Sequence, residues 1–232
     1  VDSSEGQILD CDLSYDGSKV LFSWRRRSGE GYHLWTVNID GTELTQLTEG
    51  EWHDYNACWL PDGDIAFCST RRMAHARCFG GSMAKSWNTY TLHRMDADGG
   101  NIRTLSYNDV SEWFPAVSHS GHVLHARWDY IDRFNGHFES LWTANPDGTN
   151  PLLAYGNYTK SPQCAFEARA IPGSHKLVMV AAAGEKVDAA LTRLAEDHLY
   201  WIMVASRARL QSSGASYRTS LVSCATGALK FA

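Results

Sequence analysis

Two carboxylates stand out by their spacing. Asp54 and Glu112 each lie nine residues before the glycine of a turn, Gly63 and Gly121. Equal offsets imply equal positions in repeated units, so the two acids are expected at one height beside a common channel mouth. Such a pair would bind a cation or a basic ligand, or would hold one carboxyl with a raised pKa. The competing reading is two solvated strand-start residues, hydrogen-bonded to neighbouring units. Ile8 and Cys164 hold the same offset in two further units, so the ring of acids is incomplete.

Other reactive side chains form weaker patterns. Arg71, Arg127, Asp129, Asp132 and Arg133 follow second strands of their units. They read either as a charged rim facing a ligand or as salt bridges between units. His119, His122 and His125 are three apart, which on a strand sends neighbours to opposite faces. No shared metal site is expected of them, because zinc ligands must converge. Cys58 and Cys68 flank one hairpin and read as a disulfide or as two buried thiols. The six cysteines contain no C-x-x-C pair, and the chain has no G-x-S-x-G. The sequence therefore assigns no catalytic residue, metal or cofactor.

The elements that must carry these residues are hairpins. Asp62-Gly63 makes a tight turn, and its relatives are Tyr15-Asp16-Gly17, His119-Ser120-Gly121 and Ile171-Pro172-Gly173. An apolar strand follows each: Val20-Leu21-Phe22, Ile65-Ala66-Phe67, Val123-Leu124-His125 and Leu177-Val178-Met179. A second motif runs from Leu34, Leu92 and Leu141 to Gly41, Gly99 and Gly148 with one constant offset. Each unit is thus four short antiparallel strands, the signature of a β-propeller blade. Three units are clear and the fourth keeps its first hairpin. Trp24, Trp35, Trp59, Trp128 and Trp142 are expected to pack between blades. The longest loop, 72–88, is expected at the surface. Beyond residue 181 the pattern stops. Apolar spacing over 184–203 suits an amphipathic helix, and 206–232 has little periodicity. The expected division is 1–181 as blades and 182–232 as a divergent tail, helical or poorly ordered.

Composition agrees. The chain has 232 residues, 44% hydrophobic and 12% aromatic, with nine Trp and ten Tyr, which favours strands. A formal charge of −5 offers no basic patch for nucleic acid. No apolar run is long enough to span a bilayer, and Val1 opens into polar residues.

The Asp-Gly hairpins with Ile65-Ala66-Phe67-Cys68-Ser69-Thr70-Arg71 resemble the repeats of TolB-type propellers. Further stretches are similar to the middle, propeller domain of the hydrazine synthase alpha subunit family. They are Asp12-Leu13-Ser14-Tyr15-Asp16-Gly17, Trp59-Leu60-Pro61-Asp62-Gly63, Arg127-Trp128-Asp129-Tyr130-Ile131-Asp132-Arg133, Asn145-Pro146-Asp147-Gly148-Thr149 and Glu167-Ala168-Arg169-Ala170-Ile171-Pro172-Gly173-Ser174. The resemblance covers about residues 8–181. It implies a six-bladed ring and a periplasmic or otherwise extracytoplasmic home. In hydrazine synthase it would also imply c-type haems and zinc, but these 232 residues contain no C-x-x-C-H. The expectation is an all-β, partial propeller of three to four blades. It would act as a non-catalytic scaffold for a protein partner, a ligand or further blades, with open edges prone to self-association. The alternative is a piece of a larger extracytoplasmic enzyme, of haem redox or hydrolase type.

Overall fold

The computed structural model describes residues 6–74, 89–128, 139–156, 159, 164–182, 201–206 and 209–211. Asp129, Asp132, Arg133, loop residues 75–88 and most of the expected helix lie outside them.

The first unit comprises β1 (Gln7–Leu13), β2 (Lys19–Arg25), β3 (His33–Asn38) and β4 (Thr45–Gln46). The second comprises β5 (Asp54–Trp59), β6 (Ile65–Ser69), β7 (Thr91–Met95) and β8 (Arg103–Thr104). Each forms a four-stranded antiparallel sheet in chain order. The third unit is β9 (Glu112–Val117), β10 (Val123–Trp128), β11 (Glu139–Ala144) and β12 (Leu152–Tyr155). It joins the fourth through one parallel pairing, Glu139 opposite Cys164. The fourth holds β13 (Cys164–Ala170), β14 (Leu177–Ala182), β15 (Trp201–Ser206) and β16 (Arg209–Gln211).

The fourth unit therefore extends past the boundary expected at residue 181. β15 pairs with β14 from Leu177 to Ala181, and β16 pairs with β15. The last residues of the expected helix, 201–203, are strand. Among the described residues no helix is long and apolar enough to cross a membrane.

Sequence chemistry explains the hairpins. Asp16 accepts hydrogen bonds from the Ser14 and Ser18 hydroxyls and the Ser18 N–H, and Gly17 takes a φ of +72°. Asp40 and Asp147 hold Thr42 and Thr149 in the same way.

Alternate strand residues face opposite ways, so each sheet needs a neighbour on both sides. Leu21 and Leu34 of the first unit meet Trp59, Ile65 and Phe67 of the second. Ala66, Cys68, Leu92 and Leu105 of the second meet Val123 of the third. Leu124 and Leu141 of the third meet Ala165, Ala168 and Met179 of the fourth. Each large apolar side chain buried in these seams stabilises the stack by about 1.5–3 kcal/mol. The first strands β1, β5, β9 and β13 adjoin in sequence along the inner side. Each unit is a blade.

Two turn glycines record how closely blades approach. A Cβ on Gly99 would lie 2.4 Å from the Leu47 carbonyl oxygen, and one on Gly148 would lie 2.3 Å from that of Leu105. Both glycines have positive φ, +89° and +84°. Gly41 is their counterpart in the first blade, with a φ of +85°, and its Cβ would meet nothing within 4 Å.

Candidate functional site

Asp54 and Glu112 open β5 and β9, the innermost strands of their blades. Both are anchored alike: the Asp54 N–H donates to Tyr32 O at 2.8 Å, and the Glu112 N–H to Tyr90 O at 2.8 Å. The expected equivalence is real, but the expected setting is not. Asp54 is 0% and Glu112 1% exposed. Neither is a solvated strand-start residue nor a free acid at a channel mouth, because each sits in the seam with the preceding blade.

The Asp54 carboxylate accepts from the Ser69 hydroxyl at 2.5 Å, from Arg71 Nη2 at 2.6 Å and from Arg71 Nε at 3.3 Å. His33 Nδ1 of the first blade lies 3.9 Å away. Burial alone would raise the Asp54 pKa, but His33, Arg71 and Ser69 outweigh it and hold the carboxyl below its ordinary value.

Glu112 uses a different set. Its carboxylate accepts from the Ser106 hydroxyl, the Asn108 amide and, at 3.4 Å, the Leu92 N–H, all of the preceding blade. His125 Nε2 on β10 lies 3.6 Å from Oε1. Burial pushes the His125 pKa down, and the Glu112 charge only partly opposes it. A cavity of about 220 Å³ opens here between the second and third blades, lined by Ser106, Asn108, Glu112 and His125.

Ser106, Glu112 and His125 are hydrolytic residue types in the wrong order. In a serine nucleophile the histidine touches the hydroxyl and the acid orients the histidine. Here the carboxylate stands in the middle, between the Ser106 hydroxyl and the His125 ring, so the order of a serine–histidine–acid triad is not formed. The group is a fastener between blades.

Of the expected charged rim, Arg71 and Arg127 lie among the described residues, and their surroundings differ. Arg71 serves Asp54, while Arg127 stacks on Trp142 with its guanidinium 4.6 Å from the ring centroid. Strand register makes Ser69, and not Arg71, the counterpart of Arg127. Cys58 and Cys68 are free and buried. Cys58 lies opposite Ala66, and Cys68 opposite Tyr55, so the two are not cross-strand partners, and of the two readings the structure shows the buried thiols. Burial pushes both thiols up.

The fourth-blade counterpart of Asp54 is Ala165, not Cys164. Ala165 pairs with Ala181 as Asp54 pairs with Ser69. The fourth turn closes from Ile171 N–H to Lys176 O, one residue longer than Leu60 N–H to Asp64 O. The three histidines of β9–β10 also diverge. His125 is buried, His122 Nδ1 lies 2.9 Å from the Ser120 hydroxyl, and His119 is exposed. Among the described residues no group of three or more His, Cys, Asp or Glu converges as a metal site would.

Sequence reasoning missed Asp10 and Asp12 on β1. Asp10 accepts from Ser23, from Asn56 N–H at 2.7 Å and from the Asn56 amide; Asp12 accepts from Trp59 N–H at 2.8 Å. Burial pushes both carboxyls up. Their alternation on one face was the available signal. They support an inner-strand kink in the next blade, where Asn56 has a φ of +49°. Phe114 at +55° and Glu167 at +51° mark the same kink in later blades, and the pairing register shifts there each time.

No family model and no curated protein matches the chain. Solved structures do. Hydrazine synthase of Kuenenia stuttgartiensis aligns with a TM-score of 0.69 and 17% identity, over 89% of this chain and 32% of that one. A puromycin hydrolase aligns at 0.57 and 18%, over 94% and 30%. TolB of Acinetobacter baumannii aligns at 0.51 and 13%, over 85% and 40%. The fold is a TolB-like β-propeller. At these identities the likeness shows the fold alone, and the chain spans 30–40% of the length of these three structures.

Proposed function

We propose that these blades form a non-catalytic scaffold, of the kind seen in the middle domain of the hydrazine synthase alpha subunit, and that the open side of the first blade receives a further four-stranded blade. The observation that carries this reading is the first blade itself. Ile8 is 51% exposed where its counterpart Asp54 is 0%, and Leu13 is 46% exposed where its counterpart Trp59 is 7%. Gly41 repeats the tight turn that Gly99 and Gly148 press against a preceding blade, yet touches nothing. The first blade thus carries the features of a seam without a neighbouring blade among the described residues. Buried acids in the other seams, hydrogen-bonded to neighbouring donors, support structural rather than chemical use. The absence of C-x-x-C-H from these residues leaves no reason to extend haem chemistry to them. An extracytoplasmic setting follows from the same resemblance.

The test is light scattering of the purified chain over a concentration series. An uncovered apolar blade face draws chains together, so the wild type is expected to associate and Leu9→Asp with Leu13→Asp to restore the monomer. A wild type that stays monomeric at every concentration would overturn the open-face reading. A second reading, in which the propeller positions a site supplied by other segments of a larger enzyme, rests on the likeness to the puromycin hydrolase. G-x-S-x-G or C-x-x-C-H motifs elsewhere in the reading frame would favour it.

A further inference from the structure

We propose that His119 and His175 form a surface site for a divalent transition-metal ion of the zinc–nickel–copper class, tying the third blade to the fourth. The two lie 56 residues apart in sequence, on neighbouring turns. Their ring centroids are 4.7 Å apart, with the planes at 88°. Two imidazoles bound to one ion at about 2.0–2.1 Å, at angles between square and tetrahedral, would have centroids about 4.5–5.2 Å apart. The observed separation falls within that window. Both rings are exposed, so rotation about χ2 brings one nitrogen of each to a common point.

The backbone fixes where the rings stand. His119 sits in a turn closed by Ser118 N–H to His122 O at 2.9 Å and Gly121 N–H to Ser118 O at 3.0 Å. His175 sits in a turn closed by Ile171 N–H to Lys176 O at 3.0 Å and Ser174 N–H to Ile171 O at 3.1 Å. This fourth turn has one residue more than those of the second and third blades, and the same length as the first-blade turn, which closes from Ser14 N–H to Lys19 O. By alignment of those closures, Ser118, Leu60 and Ile171 correspond, as do Gly121, Gly63 and Ser174, and the added residue is His175. The added residue of the fourth turn therefore puts an imidazole beside His119. Turn closure does not require an imidazole there, since Ser18 holds the same place in the first-blade turn.

Imidazole suits zinc, nickel and copper, and ligates in its neutral form. Two protein ligands hold the ion, and water fills its remaining positions. Lys176 follows His175 and opposes a cation, but at the surface its charge is screened by salt.

The probe is Ni²⁺, titrated calorimetrically into the full chain at pH 7.5. The expected result is one ion per chain. Outer partners of a metal ligand are worth roughly 10–100-fold in affinity, so His119→Ala and His175→Ala should each weaken binding by at least as much. His122→Ala, whose partner is Ser120, should bind as the wild type does. Lowering the pH to 5.5 should weaken wild-type binding, because protons compete for the imidazoles. Both histidines are exposed, so the variants keep the wild-type circular dichroism. Thermal melts give a second readout: Ni²⁺ raises the wild-type midpoint and leaves both variants unmoved. Binding that survives in either variant, or a wild type that binds no Ni²⁺, overturns the proposal.

Discussion

Arg71→Ala should be among the most damaging single changes in the described blades. Asp54 is 0% exposed, and its side chain is held by Arg71, Ser69 and His33. Removing the guanidinium leaves a buried carboxylate with the Ser69 hydroxyl and the His33 ring, 3.9 Å away. Breaking a buried pair in this way costs about 3–5 kcal/mol. Asp54→Ala should cost less, about 1–3 kcal/mol, because Arg71 is 19% exposed and can turn its charge to water. The double variant should then be more stable than the sum of the two losses predicts, with a coupling of about 1–3 kcal/mol. Urea unfolding with a constant slope reads all four corners of the cycle. The pH dependence checks the cause. In the wild type the Asp54 pKa is lowered, so its contribution is present above the ordinary carboxylate value and is lost as pH falls through the lowered one. In Arg71→Ala burial is no longer outweighed, the pKa rises, and the deficit against wild type should be largest at neutral pH and shrink on acidification. An Arg71→Ala protein within 1 kcal/mol of wild type, or an additive cycle, would refute the claim that Asp54 is a buried fastener.

His93 offers a second test. Burial pushes its pKa down to about 4, with Nδ1 held by Thr91 O at 2.9 Å. The unfolded chain protonates this histidine first, so stability should fall by about 3 kcal/mol between roughly pH 6.5 and 4, and His93→Gln should flatten that part of the curve. Gly99→Ala and Gly148→Ala carry both backbone strain and a clash with the preceding blade, whereas Gly41→Ala carries the strain alone, about 1 kcal/mol. Thermal melts should rank Gly41→Ala as mildest, and equal losses would contradict the open first face. Glu112→Ala removes the acceptor of the Ser106 hydroxyl and the Asn108 amide from the seam, while the Leu92 N–H keeps Ser106 Oγ at 3.0 Å. It should cost about 1–3 kcal/mol in urea, and a neutral result would return Glu112 to the solvent-facing role read from its spacing.

The architecture was legible because its signals are local. Asp-Gly turns and alternating apolar strands announce each hairpin, and the constant offset from Leu34, Leu92 and Leu141 to their glycines announces the repeat. The same offset correctly paired Asp54 with Glu112. What it lacked was their surroundings. Arg71 approaches Asp54, and Ser106 approaches Glu112, through contacts between strands and blades that spacing does not encode. Cys164 was matched to Asp54 for a simple reason: the fourth turn carries its glycine, Gly173, one position earlier than Gly63, whose counterpart is Ser174, so Ala165 takes the place. The strand at 201–206 was read with a helical period because Leu191, Leu194, His198 and Ile202 happen to fall on it. The run Trp201-Ile202-Met203-Val204 is an ordinary β-forming segment. His175 was not singled out at all, since only the fold brings it to His119.

The most direct test of the scaffold account is hydrogen exchange of three equivalent strands, β1 (Gln7–Leu13), β5 (Asp54–Trp59) and β9 (Glu112–Val117), at low and high protein concentration. The account predicts that β1 exchanges fastest when dilute and gains protection as chains associate, while β5 and β9 stay protected throughout. A β1 as protected as β5 and β9 in dilute solution would contradict it, because the face proposed to receive a blade would already be covered.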